Sequence, residues 1–161
     1  MTALDRRDHP ERPIVGVGVV VWHGEHVLLV RRSRPPRQGQ WSLPGGAQLL
    51  GETLAESAAR EVAEETGVVI GPPVLVTCLD LIERDDADAV AFHYTLVDFT
   101  AEALGDVLQA GDDAAEAAWF GPERLPGLGL WSRTLEVIEV AARLRPAPWP
   151  AASRSASRPA P

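Results

Sequence analysis

Hydrophobic and polar positions divide the chain into a short series of elements. "PIVGVGVVVW" (13–22) is rich in β-branched residues, "HGEH" interrupts it, and "VLLVRR" (27–32) resumes it. The pattern predicts two strands joined by a tight turn at His23 to His26. A polar loop, "SRPPRQGQ", leads to "WSLPGG", a short apolar run that Pro44 and the paired glycines stop. A helix is predicted next. Thr53 followed by Glu56 is a capping-box signature, Leu54, Ala58 and Val62 recur every four residues as one apolar stripe, and Gly67 ends the element.

Beyond the helix, "VLVTCLDLI" and "AVAFHYTLVDFT" read as strands around the polar loop "ERDDADA". The loop "AEALGDVLQAGDDAAE" precedes a short strand "AAWF" and the turn "GPERLPGLG". A last helix is predicted over 132–144, with Leu135, Ile138 and Ala142 on its buried side. A mostly β body with one helix in the middle and one at the end predicts an α/β fold, a mixed sheet flanked by helices. The proposed organisation is a polar lead over 1–12, one domain over 13–144 and a disordered tail over 145–161. That tail is rich in proline, alanine and serine, with too little apolar surface to offset chain entropy.

Composition narrows the function. At 161 residues the chain fits one ordinary domain, and its formal charge is −8, with three arginines of the tail making the remainder more acidic still. Such a balance opposes non-specific nucleic-acid binding. The first residues lack the apolar run of a signal peptide and no stretch is long enough to span a bilayer, so no membrane partner and a cytoplasmic location are expected. Cys78 is the only cysteine; its apolar surroundings predict a buried core thiol.

The chemistry concentrates in "GGAQLLGETLAESAAREVAEETGV", residues 45–68. Residues three and four apart share a helix face, so Glu61, Glu64 and Glu65 form a carboxylate cluster, partly relieved by an i,i+4 pair between Arg60 and Glu64. Glu52 lies within reach of Arg60 or the cluster. A solvated acidic face is the commonest fate of such a helix. Against it, these acids sit in the last turns, where the helix dipole disfavours negative charge, and no lysine is interleaved with them. Hard divalent cations prefer carboxylate oxygens and keep waters or phosphate oxygens as remaining ligands, so the helix supplies half of such a site.

This segment resembles the signature of the Nudix hydrolases. Gly46, Glu52, Arg60, Glu61, Val62, Glu64, Glu65, Gly67 and Val68 occupy its positions without a mismatch. The resemblance implies a Nudix-type α/β/α sandwich with a central mixed β-sheet, and Mg²⁺- or Mn²⁺-dependent hydrolysis of a nucleoside diphosphate linked to another moiety. It implies that Glu61, Glu64 and Glu65 bind metal with the Gly46 carbonyl, that Arg60 and Glu52 hold the cluster, and that Gly45 and Gly46 form a tight loop. Family members take the base from a box glutamate or from an acid in a later loop, which makes Glu64 and Asp113 the candidates here.

Arg31 and Arg32 end the second strand near that loop, as phosphate contacts or as solvated strand-end charges. Trp41, Phe92, Tyr94 and Trp119 offer rings for a base, with core packing as the competing role for each. Outside the box, residues 12–144 are similar to a bacterial subgroup of ADP-ribose pyrophosphatases, which implies ADP-ribose as substrate and a homodimer. The chain departs from the ADP-ribose pattern at Arg84, where a proline is usual, and carries Leu49 where a glutamate is common. A nucleoside triphosphate pyrophosphohydrolase of the MutT-like kind and a non-catalytic nucleotide sensor are the alternatives.

Overall fold

A computed structural model describes residues 7–34, 37–105, 108–109 and 114–145. Its strands are β1 (Ile14–His23), β2 (His26–Arg32), β3 (Trp41–Ser42), β4 (Gly45–Ala47), β5 (Val74–Arg84), β6 (Val90–Glu102) and β7 (Ala114–Phe120). The helices are α1 (Leu54–Thr66) and α2 (Ser132–Leu144), with a 3-10 turn at Leu125–Leu128. The sheet runs β3-β2-β1-β6-β5, with β4 added to β1 and β7 to β2. β1 and β6 are parallel and the other pairs antiparallel, which makes the sheet mixed.

Strand alternation sends β1 side chains to two cores. Val17, Val19 and Val21 pack with Val97, Phe99 and Ala101 of β6 against Ala58 and Val62 of α1. Val20 and Trp22 pack with Leu29 and Phe120 against Val137, Ile138 and Ala141 of α2. Helix, sheet and helix thus form the three layers of an α/β/α sandwich. Trp22 donates its indole N–H to the Thr100 hydroxyl at 2.9 Å, so these two buried polar groups pair with each other.

One edge of β1 pairs with β6 along its length, whereas the other forks. Gly16, Val17 and Gly18 pair with Ala47, Gly46 and Gly45 of β4, and only Trp22 and His23 pair with β2. The fork opens the sheet and places the floor of a cavity between its arms. It also corrects the expected loop at Gly45 and Gly46, which is a strand. A Cβ at Gly45 would overlap the Val17 carbonyl, so only glycine permits this close pairing.

Two burial expectations change. Cys78 is exposed, because β5 is an edge strand whose alternation turns Leu79 and Leu81 inward and Cys78 outward. On α2, Ala142 is exposed and Leu135 only half-buried; Val137, Ile138 and Ala141 form the buried stripe at three- and four-residue spacing. Part of the polar lead is tied down: the His9 N–H donates to the Ala91 carbonyl at 2.8 Å, and its ring meets Asp85 at 2.9 Å.

The ends of α1 follow the sequence. The Thr53 hydroxyl accepts from the Glu56 N–H, Glu56 returns to the Thr53 N–H at 2.8 Å, and Gly67 closes the helix in the left-handed region at φ 70°. These bonds hold the Glu56 carboxyl below its ordinary range. Thr53→Ala should lower unfolding free energy in urea by about 1 kcal/mol, with an unchanged denaturant slope.

Candidate active site

The last two turns of α1 lie against β4. The Gly45 N–H donates to Glu65 Oε2 at 2.9 Å, and a Cβ at Gly46 would collide with the Glu61 carboxyl group. The two glycines therefore let two carboxylates approach backbone that any side chain would screen.

Arg60 connects the remaining acids. Its Nε and Nη2 grip Glu52 through both carboxylate oxygens, the second at 2.9 Å. Nη1 donates to Glu61 at 2.8 Å and to Glu64 at 3.0 Å, while Nη2 reaches the Ala47 carbonyl at 3.1 Å. Glu52 also accepts from the Leu49 N–H at 2.9 Å. One planar guanidinium thus ties the entry loop, β4 and the acidic face together, a geometry lysine cannot reproduce.

The charges respond accordingly. Arg60's hydrogen bond, followed by the Leu49 N–H, brings the Glu52 carboxyl down to about 2. The same bond raises the Arg60 guanidinium further above its ordinary value. Burial pushes the Glu61 carboxyl up, against the pull of Arg60. The side chains of Glu61 and Glu64 are 13% and 61% exposed, so Glu61 is the inner acid and Glu64 the outer.

Among the described residues, no three His, Cys, Asp or Glu side chains converge as a finished metal cage, and Arg60 occupies the space between Glu52, Glu61 and Glu64. The donor set still suits a hard cation. Glu61 is a desolvated carboxylate beside Gly46, Glu65 is anchored at Gly45, and Glu64 faces outward.

Gly46, Arg60, Glu61, Glu64 and Glu65 line one cavity of about 640 Å³, together with Arg31, Arg32 and Trp41. Arg31 donates to the Gly39 carbonyl at 3.0 Å and approaches Glu116 at 3.8 Å. Burial pushes the Arg32 guanidinium below its ordinary value, and Glu65 acts in the opposite sense. Trp41 meets Phe120 edge-on, 4.9 Å between ring centres, and Tyr94 also lines the cavity. Trp119 instead packs with the α1-side core and His23, and Phe92 does not line the cavity. Asp113, like Asp112, lies outside the described residues.

Three of the lining residues that escaped the sequence reading carry charge or an aromatic ring to the cavity. Arg37 sits over the Trp131 ring at 4.3 Å and bonds Glu83 at 3.1 Å, a pairing that no local pattern announces. Asp98 is the third, an acid in the apolar run "TLVDFT", beside Gly18 in the β1–β6 register. It is 5% exposed, and burial pushes its carboxyl up to about 6.

The layered mixed sheet, with a carboxylate-bearing helix against a glycine strand at a cationic cavity, is the arrangement of a pyrophosphohydrolase. The sequence matches the NUDIX domain over residues 12–140, and the chain belongs to this family. Nudix hydrolases generally use divalent metal ions. The chain is 35% identical over 116 residues to an ADP-ribose pyrophosphatase of Methanocaldococcus jannaschii, covering 72% of this chain and 66% of that protein. It is 30% identical over 135 residues to a human 8-oxo-dGDP phosphatase, covering 81% of this chain and 39% of that one. The chain thus spans about two thirds of the first relative and well under half of the second.

Among solved structures, it is similar to the NUDIX domain of Shewanella oneidensis NrtR in complex with ADP ribose. The TM-score is 0.70 and the identity 26%, covering 83% of this chain and 89% of that one. A MutT NUDIX hydrolase from Burkholderia pseudomallei gives a TM-score of 0.68 at 29% identity, covering 80% and 98%. The expected α/β/α sandwich is the fold of these neighbours. Among the described residues, no helix is long and apolar enough to cross a membrane.

Asp98 yields a prediction with a defined sign. A carboxyl whose folded pKa is raised destabilises the fold once ionised. The penalty is absent below the ordinary carboxylate range near pH 4 and complete above about pH 6. Asp98→Asn should therefore raise the unfolding free energy by about 2 kcal/mol at pH 7.5, and the gain should vanish toward pH 4 in urea titrations.

Proposed function

We propose that the protein hydrolyses the diphosphate linkage of a nucleoside diphosphate derivative with Mg²⁺ or Mn²⁺, ADP-ribose being the leading substrate and AMP and ribose 5-phosphate its products. The observation that carries this reading is the seating of Glu61 and Glu65 on Gly46 and Gly45, at the edge of a cavity lined by Arg31 and Arg32. The similarity to an archaeal ADP-ribose pyrophosphatase supports the choice of substrate.

Glu61, Glu64, Glu65 and the Gly46 carbonyl are the residues that would hold a divalent cation. Such an ion, when bound, neutralises phosphoryl oxygens and lowers the pKa of a bound water. The chain's own groups complete the site. Arg31 and Arg32 offer charge-assisted hydrogen bonds to phosphate oxygens. Arg60 positions Glu61 and Glu64, and Trp41 offers an aromatic wall. Water attacking phosphorus must lose a proton. Glu64, exposed and held at 3.0 Å by Arg60, is the first candidate to take it, and Asp113 the second.

A triphosphate-directed activity of the MutT-like kind is the second reading, supported by the similarity to the MutT NUDIX hydrolase of Burkholderia pseudomallei. A non-catalytic sensor is the third; the full set of signature acids argues against it. In a panel of nucleoside diphosphate sugars and nucleoside triphosphates with Mg²⁺, ADP-ribose should be cleaved fastest. Glu64→Gln should lower kcat by about a hundredfold or more with an unchanged circular dichroism spectrum. Triphosphates cleaved far faster than ADP-ribose would select the second reading, and binding without turnover the third. Unchanged turnover in Glu64→Gln would contradict the metal-site assignment.

A further inference from the structure

Among the described residues, Asp98 is the one acid lining the cavity that the signature does not explain. It lies on β6 beside Gly18 of β1, and Gly18 in turn pairs with Gly45, whose N–H holds Glu65. Two strand spacings, about 10 Å, therefore separate the Asp98 backbone from that of Gly45. This is the scale of the step from a diphosphate to the nucleoside it carries.

The side chain has no visible structural task. No hydrogen bond or ion pair ties it to another described residue, although the residue is 95% buried by its 5% exposure. Among the described residues, none of the sealed side-chain oxygens or nitrogens lacks a partner, so the Asp98 oxygens are open to the cavity they line. Three of the arginines lining the same cavity are engaged elsewhere: Arg60 with the glutamates, Arg37 with Glu83 and Trp131, Arg133 with Glu136. Gly18 is what makes room for the carboxylate, because a Cβ there would overlap Asp98 Oδ1. Leu79, Leu96 and Leu43 surround this part of the cavity. A buried acceptor with an apolar surround and no partner of its own costs free energy in the empty protein, and a ligand donor relieves that cost.

We propose that Asp98 is a specificity residue whose carboxylate accepts a hydrogen bond from an uncharged N–H or O–H donor of the bound nucleoside, either a base amino group or a ribose hydroxyl. The assignment rests on the nucleotide-hydrolase reading and adds to it the residue that distinguishes one nucleoside from another. Burial of this carboxyl, which pushes it up to about 6, accords with an acceptor kept from water until a ligand arrives. A site that recognises a donor rejects the analogue lacking it, because its own polar group is then left unpaired.

Equilibrium binding of AMP, purine riboside 5′-monophosphate, 2′-deoxy-AMP and 3′-deoxy-AMP, by calorimetry, tests the assignment without requiring turnover. Wild-type protein should bind AMP about tenfold or more tightly than the analogue lacking the donor that Asp98 reads. The purine riboside identifies a base amino group, and a deoxynucleotide a ribose hydroxyl. In Asp98→Ala that preference should shrink to within about twofold, and Asp98→Asn, which keeps an acceptor oxygen, should retain part of it. A preference that persists in Asp98→Ala, or that wild type lacks for every analogue, overturns the proposal. So does failure of wild type to bind AMP, or loss of Mn²⁺ binding in Asp98→Asn with unchanged nucleotide preference, which would make the carboxylate a cation ligand. ADP-ribose hydrolysis is assayed in parallel. Turnover with Asp98-independent binding sinks this inference alone, whereas Asp98-dependent binding without turnover sinks only the hydrolase reading.

Discussion

The site depends on one guanidinium. Three acids in the last turns of α1 repel one another and the negative end of the helix dipole. No basic residue of the last turn offsets them. Arg60 supplies the missing charge, and its planar fork also sets geometry by bonding Glu52, Glu61, Glu64 and the Ala47 carbonyl at once. Removing it would leave the half-buried Glu61 without its nearest counter-charge and detach the 49–52 loop from the helix.

Glycine completes what arginine begins. The pairing of Gly16 to Gly18 with Gly45 to Ala47 forks the sheet, and the absent side chains at Gly18, Gly45 and Gly46 let Asp98, Val17 and Glu61 come close to neighbouring backbone. A chain with net charge −8 thus contains a cavity where arginines and carboxylates meet at short range. The acidic balance sets the long-range field, and the fork sets the local one.

Much of this was legible because it is local. The capping box at Thr53, the left-handed Gly67 and the bounds of α2 follow from residues a few positions apart, and so do the Arg60–Glu64 pair and the acidic face. What escaped is non-local. "GGA" has no strand propensity, and its place as β4 is decided by the register with β1. "VLVTCLDLI" is apolar on both faces, so only its edge position in the sheet shows that Cys78 faces outward. Asp98 acquires meaning from the parallel pairing with Gly18, far away in the chain. The signature located the acids, while the surroundings of Asp98 came only with the assembled sheet.

In the proposed cation site, Arg60 organises the acids through geometry as well as charge. Mn²⁺ binding followed by electron paramagnetic resonance in wild type and Arg60→Lys tests this role most directly, since lysine keeps the charge and loses the fork. Wild type should bind Mn²⁺, and the folded Arg60→Lys protein should bind it about tenfold or more weakly. Equal affinity in the two proteins would contradict this role.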